Sequence, residues 1–455
     1  MNFNYFRVLL LIIISFHILL LTKIVFFPYP ELFIYPYLTV KGMLPYAQIF
    51  DQHFPGLMFF PVNMASLGIT TPYEARIFHL LIVFVTQVMI FLTAKKVTGN
   101  EKTAVLASVL YLIWQPFFEG YVLWIDTMVT PILLASFLFL FKSIKENKTR
   151  YLYLSGLFMG LSLVFKQTVA PLIFFVGLYI LIFYRKPKYL MSFAAGVGFF
   201  VLLLFIYIQR LGIWSEFYYW TVTFNLTTFS EMGRKPWDFA GLIKSIPLFG
   251  FAIISLIYLL SKRKEQSVIG LGVFFIGCLA FVYARFDFVH LQPALPFAIL
   301  IIVVLIGKVK VKSKYVLGYL TISFLLLFNF YRNNIKEEVY FFGEYENEVA
   351  SEIIKLTKPG DTVFAMATYL HVYQATDTMP PGRIFVFQFP WFMEVAQKRQ
   401  LQGIIEDPPK VVIRDENARV QGKRLVFYMR DINDYINENY KIIDKINDTE
   451  ILIPK

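Results

Sequence analysis

The feature that most constrains this chain is a series of apolar runs of roughly the length needed to cross a hydrocarbon layer ~30 Å thick. They fall near residues 5–27, 75–94, 103–118, 121–141, 151–165, 168–184, 190–208, 240–260, 267–284, 290–307 and 315–331, and predict about eleven membrane-crossing helices. The composition agrees: 57% of residues are hydrophobic and 50 of 455 are phenylalanine, more than one water-soluble core requires. No small-residue cleavage site follows the first run, which is read as a retained anchor. The single cysteine, Cys278, lies inside an apolar run, so no intrachain disulfide can form.

The net charge of +12 could suggest a nucleic-acid binder, but its distribution points to the membrane instead. Five short loops are basic: Lys95, Lys96 and Lys102; Lys142, Lys145, Lys148 and Arg150; Arg185, Lys186 and Lys188; Lys262, Arg263 and Lys264; Lys308, Lys310, Lys312 and Lys314. Each follows an even-numbered run, so all share one face. The positive-inside rule makes that face cytoplasmic, with the N-terminus inside and everything after the eleventh run outside. This count treats residues 151–184 as two short helices with an outer turn at Phe165-Lys166-Gln167, because a single tilted helix would put three basic clusters outside.

From about residue 342 the composition becomes that of a soluble domain. The sequence predicts an amphipathic helix ending near Leu356, a turn at residues 358–361, strands at TVFAMA and KVVI, a helix near residues 431–439 and a terminal strand at TEILIPK. The expected fold class is therefore a polytopic α-helical membrane protein, residues 1–331, with a small C-terminal α/β extracytoplasmic domain, residues 332–455. That domain shows no glycine-rich phosphate loop, metal-spaced His/Cys cluster or nucleophile elbow, so recognition or support is its expected role.

The external segments gather Glu31, Asp51, His53, Glu74, Arg76, Glu119, Asp126, Lys166, Glu216, Glu231, Arg234, Lys235, Asp238, Arg285, Asp287 and His290. Carboxylates suit proton transfer and sugar hydroxyls, and cations suit phosphate. Charges at helix mouths are the more telling, because partial desolvation makes them costly: Asp126 in VLWIDTMV, Lys166 in LVFKQTVA, and Arg285 with His290 in YARFDFVHLQPALP. Asp126 has no basic neighbour within a turn, and Lys166 is its obvious opposite charge. The ordinary reading of each is an interfacial or snorkelling charge, and most of the tyrosines are expected aromatic-belt anchors.

The first external loop, residues 28–74, carries the most specific pattern. An acid after the first run, an apolar helix, G-x-x-x-P-Y and then D-x-H-x-P-G are here Glu31, Gly42, Pro45, Tyr46, Asp51, His53, Pro55 and Gly56. This resembles the first external loop of GT-C integral-membrane glycosyltransferases, above all bacterial relatives of dolichyl-phosphate-mannose-protein mannosyltransferase and of lipopolysaccharide-core galacturonosyltransferases. Arg76, the Gly156, Gly160 and Lys166 pattern, and Arg285, His290, Pro293 and Pro296 resemble further features of the class. Two positions depart from it. Pro30-Glu31 stands where relatives have an Asp-Glu pair, and Gln48 stands three residues before Asp51 where many have Asp, which leaves the base open between Glu31 and Asp51.

The resemblance implies transfer of a sugar from a polyprenyl-phosphate donor to a hydroxyl on a lipid, glycan or protein acceptor, with inversion, at the outer face of the cytoplasmic membrane. Glu31, Asp51 and Asp126 are then the catalytic candidates. Lys166, Arg285 and His290 are candidates for the donor phosphate, and His53, Tyr46 and Arg76 for substrate binding. No cofactor is required, although an acid-rich site can also hold a divalent cation, and no nucleic-acid partner is expected. The rival is a transporter or flippase of lipid-linked sugars, which predicts ionisable residues near the midplane and inverted repeats. The charges here gather at one face, and no repeat is evident.

Overall fold

The computed structural model describes residues 5–262, 265–309 and 311–455; Arg263, Lys264 and Lys310 of the basic loops lie outside the described residues. The chain divides into two compact units. The first is drawn from the chain up to Pro28, Tyr73–Phe205 and Lys235–Glu338, and the second from Tyr29–Pro72, Ile206–Arg234 and Val339–Lys455.

The first unit holds the helical bundle. Among the described residues, seven helices of the chain are long and apolar enough to cross a membrane: Tyr5–Lys23, Pro72–Thr98, Ile125–Glu146, Gln167–Tyr184, Pro187–Leu211, Phe239–Lys262 and Ser313–Asn334. Three shorter apolar helices, Thr149–Phe165, Gln266–Val282 and Leu295–Val309, and the helix Glu101–Trp114 complete the eleven expected positions. Among the described residues, then, all eleven segments are present and seven of them reach spanning length. The short ones stop at irregular breaks. The run expected over 103–118 ends as a helix at Trp114, because Pro116 to Gly120 form a kinked turn with Glu119 at φ 56°. Likewise the run expected from residue 290 becomes regular only at Leu295. Non-helical backbone of this kind is tolerated in a membrane protein where protein buries it.

The central helix of this unit is Leu295–Val309, buried on every side from Leu295 to Val304, as an all-round apolar helix must be. It packs against Phe251–Lys262, Glu101–Trp114 and Gln266–Leu279. The two-helix reading of residues 151–184 agrees with the structure: Thr149–Phe165 ends, Lys166 is extended at φ −151° and ψ 117°, and a short 3-10 turn leads into Ala170–Tyr184. Gly156 and Gly160 let Thr149–Phe165 lie against Pro187–Leu211. A Cβ on them would come within 2.1 Å of the Phe193 carbonyl oxygen and 2.6 Å of that of Val197, so small residues are required at this crossing.

The second unit contains a four-stranded sheet in the order Val363–Met366, Val411–Asp415, Thr449–Pro454, Tyr440–Ile446. The first pair is parallel and the other two are antiparallel. Three of these strands, and the helices Glu344–Leu356 and Arg430–Asn439, lie where the sequence predicts them. The helix Pro390–Glu406 and the strand Tyr440–Ile446 are additional. The first loop folds with this sheet domain. Ile49–Phe50 pairs in parallel with Phe385–Val386, the Tyr37 hydroxyl donates to Asp377 at 3.0 Å and to the Thr378 carbonyl, and Lys41 pairs with Asp377 at 2.6 Å.

Candidate functional site

In the first unit, three chain breaks bring three sequence-predicted residues together. Asp126 enters at the start of Ile125–Glu146, Lys166 from the extended residue between two helices, and His290 from the 3-10 turn Phe288–Leu291. Lys166 Nζ lies 2.5 Å from Asp126 Oδ1, and His290 Nδ1 lies 2.9 Å from Asp126 Oδ2 and 3.2 Å from Lys166 Nζ. The Asp126 side chain is fully buried and that of Lys166 only 8% exposed. Burial first, and the Lys166 charge second, push the His290 pKa below its ordinary value, so the imidazole is neutral near pH 7. A neutral ring carries one N–H. The nearer carboxylate favours that hydrogen on Nδ1, donated to Asp126 at 2.9 Å, while the ammonium gives its hydrogen to Asp126 at 2.5 Å and not to the ring; Nε2 is then the acceptor.

A second cluster adjoins this one along the chain. Arg285 Nε donates to Asp287 at 3.3 Å, and Lys235 pairs with the same carboxylate at 2.5 Å. The Phe286 N–H donates to the Lys235 carbonyl, and the Lys235 N–H to the Ala284 carbonyl. Glu119 accepts from the Val289 N–H at 2.8 Å. Burial is the chief reason that its pKa is raised, with Asp287 adding to the effect. Arg76 is in the first unit as well, where its guanidinium donates to the Thr22 and Ile24 carbonyls, both at 3.4 Å, and sits over the Phe26 ring.

The second unit holds the other carboxylates. Glu31 opens the helix Glu31–Val40, which is buried along most of its length, and Asp51 follows the strand Ile49–Phe50. Their surroundings differ sharply. Asp51 accepts from the Tyr35 hydroxyl at 2.9 Å and from the His53 N–H at 2.7 Å, and His53 Nδ1 lies 3.0 Å from it. Glu31 Oε2 is buried and has no hydrogen-bond partner among the described residues. Burial therefore dominates and raises its pKa to about 8; its own backbone N–H lowers it, and the Asp51 charge raises it a little further. Tyr46 is fully buried at φ 63°, and its hydroxyl donates to the His53 carbonyl at 2.9 Å, so it shapes the loop that presents His53.

Two contributors escape a reading of the sequence alone. Tyr35 holds Asp51, and the usable signal is that it lies one helical turn after Glu31, on the same face. Glu119 is one of the external charges, but nothing in PFFEGY shows that the backbone will turn its carboxylate inward against the Val289 N–H. No group of three or more His, Cys, Asp or Glu side chains suited to a metal occurs among the described residues.

A sequence model of the dolichyl-phosphate-mannose-protein mannosyltransferase family matches residues 55–208. By whole-sequence comparison, no curated protein matches. Among solved structures, ArnT from Cupriavidus metallidurans bound to undecaprenyl phosphate aligns with a TM-score of 0.66 at 10% identity, over 99% of this chain and 98% of that one. The apo oligosaccharyltransferase of Archaeoglobus fulgidus aligns at 0.55 and 12% identity, over 91% of this chain and 70% of its own. The arabinofuranosyltransferase AftD from Mycobacteria aligns at 0.51 and 13%, over 98% of this chain and 40% of its own. The chain thus carries the GT-C fold of integral-membrane glycosyltransferases, and within it residues 55–208 match the dolichyl-phosphate-mannose-protein mannosyltransferase family.

Proposed function

We propose that this protein transfers a sugar from a polyprenyl-phosphate donor to a hydroxyl acceptor, with inversion, on the membrane face opposite its basic loops. The observation that carries this reading is Lys166, a lysine buried in the break between two apolar helices and flanked by Asp126 and His290. A buried cation at a helix mouth suits a lipid phosphate, whose tail stays in the bilayer while its oxygens take charge-assisted hydrogen bonds. The likeness to ArnT with undecaprenyl phosphate supports the same donor chemistry.

In this reading Asp126 orients Lys166 and His290. An arriving phosphate adds negative charge and favours the imidazolium, whose Nε2–H then joins Lys166 and Arg285 in stabilising the leaving group. Glu31 removes the acceptor proton as the acceptor oxygen attacks the anomeric carbon and the bond to the phosphate oxygen breaks. Its unpaired oxygen and its pKa of about 8 favour it over Asp51, whose oxygens are engaged. Departure of a lipid phosphate assisted by cations demands no metal ion.

The test uses purified protein and a panel of synthetic polyprenyl-phosphate hexoses and pentoses. Transfer by the wild type, with loss in Glu31→Gln and Asp126→Asn, is expected. Wild-type turnover in E31Q, D51N and D126N alike refutes the mechanism. Movement of lipid-linked sugar across sealed vesicles without any transfer would instead establish a transporter.

A further inference from the structure

The second unit contains a cavity of about 330 Å³ that none of the proposed catalytic residues lines. Its walls are Phe50, Ser215, Glu216, Tyr219, Trp220, Val395 and Arg399. Its floor is aromatic: Phe50 stacks on Trp220 with centroids 4.9 Å apart, and both are buried. The Arg399 guanidinium lies 4.9 Å from the Phe50 centroid and donates to the Ala47 carbonyl at 3.1 Å. The Ser215 hydroxyl donates to Glu216 at 2.8 Å. Tyr219 is 40% exposed, so its ring retains an open surface.

Two features select the ligand. A carboxylate and a guanidinium line one cavity, and no ion pair joins Glu216 to Arg399 among the described residues, so each keeps hydrogen-bonding capacity for a third party. The two opposite charges leave no net charge for an ion to seek, and a neutral polyol can accept from Arg399 and donate to Glu216 at once. The aromatic wall adds a flat apolar surface for the C–H face of a sugar ring. The volume is at the lower end for a small-molecule site.

The cavity is also tied to the first loop. Phe50 immediately precedes Asp51, and Asn225, just beyond the Trp214–Thr223 segment, donates to the Gln52 carbonyl at 2.9 Å. We infer that this cavity is a subsite for a neutral saccharide, so that the acceptor is a glycan or glycolipid; the inference rests on the glycosyltransferase reading for its role, though not for binding itself.

The experiment measures binding apart from turnover. Tryptophan fluorescence of the full-length protein in detergent is titrated with maltotetraose, mannotetraose, arabinotetraose and chitotetraose, and separately with inorganic phosphate and phosphatidylglycerol vesicles. The expected result is saturable binding of at least one oligosaccharide, weakened about tenfold or more in Glu216→Gln and Tyr219→Ala, both substitutions at the cavity wall. Undecaprenyl-phosphate binding is expected to stay unchanged in both variants. The proposal is overturned if no oligosaccharide binds, if E216Q and Y219A bind the sugars as the wild type does, or if phosphate or anionic vesicles bind here and E216Q tightens them. Saccharide binding without any transferase activity would sustain the subsite and count against the glycosyltransferase reading.

Discussion

Replacing Glu31 by Gln separates folding from chemistry. Glu31 opens a buried helix, its Oε2 has no partner among the described residues, and its pKa stands at about 8 against an ordinary 4.5. That difference corresponds to roughly 5 kcal/mol against the charged form. At pH 7 the carboxyl is mostly protonated, and a neutral Gln is nearly isosteric with that state. The linkage has a definite sign. With the folded pKa above the unfolded one, the native state binds the extra proton between pH 4.5 and 8, so this group's stabilisation is present below the unfolded pKa and is lost as pH rises through about 8. The Tm of the wild type should therefore fall across that interval relative to that of E31Q, and the two should diverge most above pH 8. Activity should run the other way. A general base must be ionised, so wild-type turnover should climb with pH towards a plateau above about 8, while E31Q loses about 100-fold or more at every pH. A folded E31Q protein with wild-type turnover at pH 8 would remove Glu31 from the mechanism; if D51N were then inactive, Asp51 would take its place.

Lys166→Met removes the cationic partner of the buried Asp126, leaving it His290, and should cost about 3–5 kcal/mol. Adding Asp126→Asn should restore much of the Tm but not undecaprenyl-phosphate binding, and full recovery of binding in the double variant would contradict the role given to Lys166. Tyr35→Phe removes a hydroxyl that donates to Asp51 at 2.9 Å and should destabilise the first loop by about 1.5–3 kcal/mol, read as faster local hydrogen exchange over residues 49–53. Because Cys278 is buried, a cysteine introduced at Lys102 should react with an impermeant maleimide only after cells are opened, and one at Lys358 before. The reverse pattern would invert the proposed orientation. Chelator should leave transfer unchanged, as measured in the polyprenyl-phosphate assay.

Much of the architecture was legible because it follows from local pattern. The break at Lys166 could be placed because two basic loops flank a stretch too long for one helix and too short for two full ones. Strands Val363–Met366, Val411–Asp415 and Thr449–Pro454 lie where turn residues bound apolar runs. What was not legible depends on tertiary partners. Ile49–Phe50 and Phe385–Val386 are two-residue strands, too short to show a period, yet their pairing folds the first loop with the C-terminal region. Tyr440–Ile446 exposes most of its side chains and so lacks the half-buried alternation that marks a strand. The helix Pro390–Glu406 did have a signal in Pro390 at its first position, but the aromatic run around it masked the amphipathic pattern.

The carboxylates show why sequence could nominate candidates but not rank them. Glu31 and Asp51 are equivalent as entries in a list of acids, and each stands in a motif of the same loop. What divides them is whether a neighbour supplies a donor. Asp51 receives Tyr35 and His53, whereas Glu31 is buried with Oε2 unmet by a donor among the described residues and is held towards its neutral form. Asp126 and Glu119 contrast in the same way: one is compensated by Lys166 and His290, the other is held by a backbone N–H and raised by burial. Compensated carboxylates are suited to orienting cations, and uncompensated ones to exchanging protons near neutral pH. On that division, Asp126 and Asp51 are suited to positioning their neighbours, and Glu31 to taking the acceptor proton in the reaction proposed above.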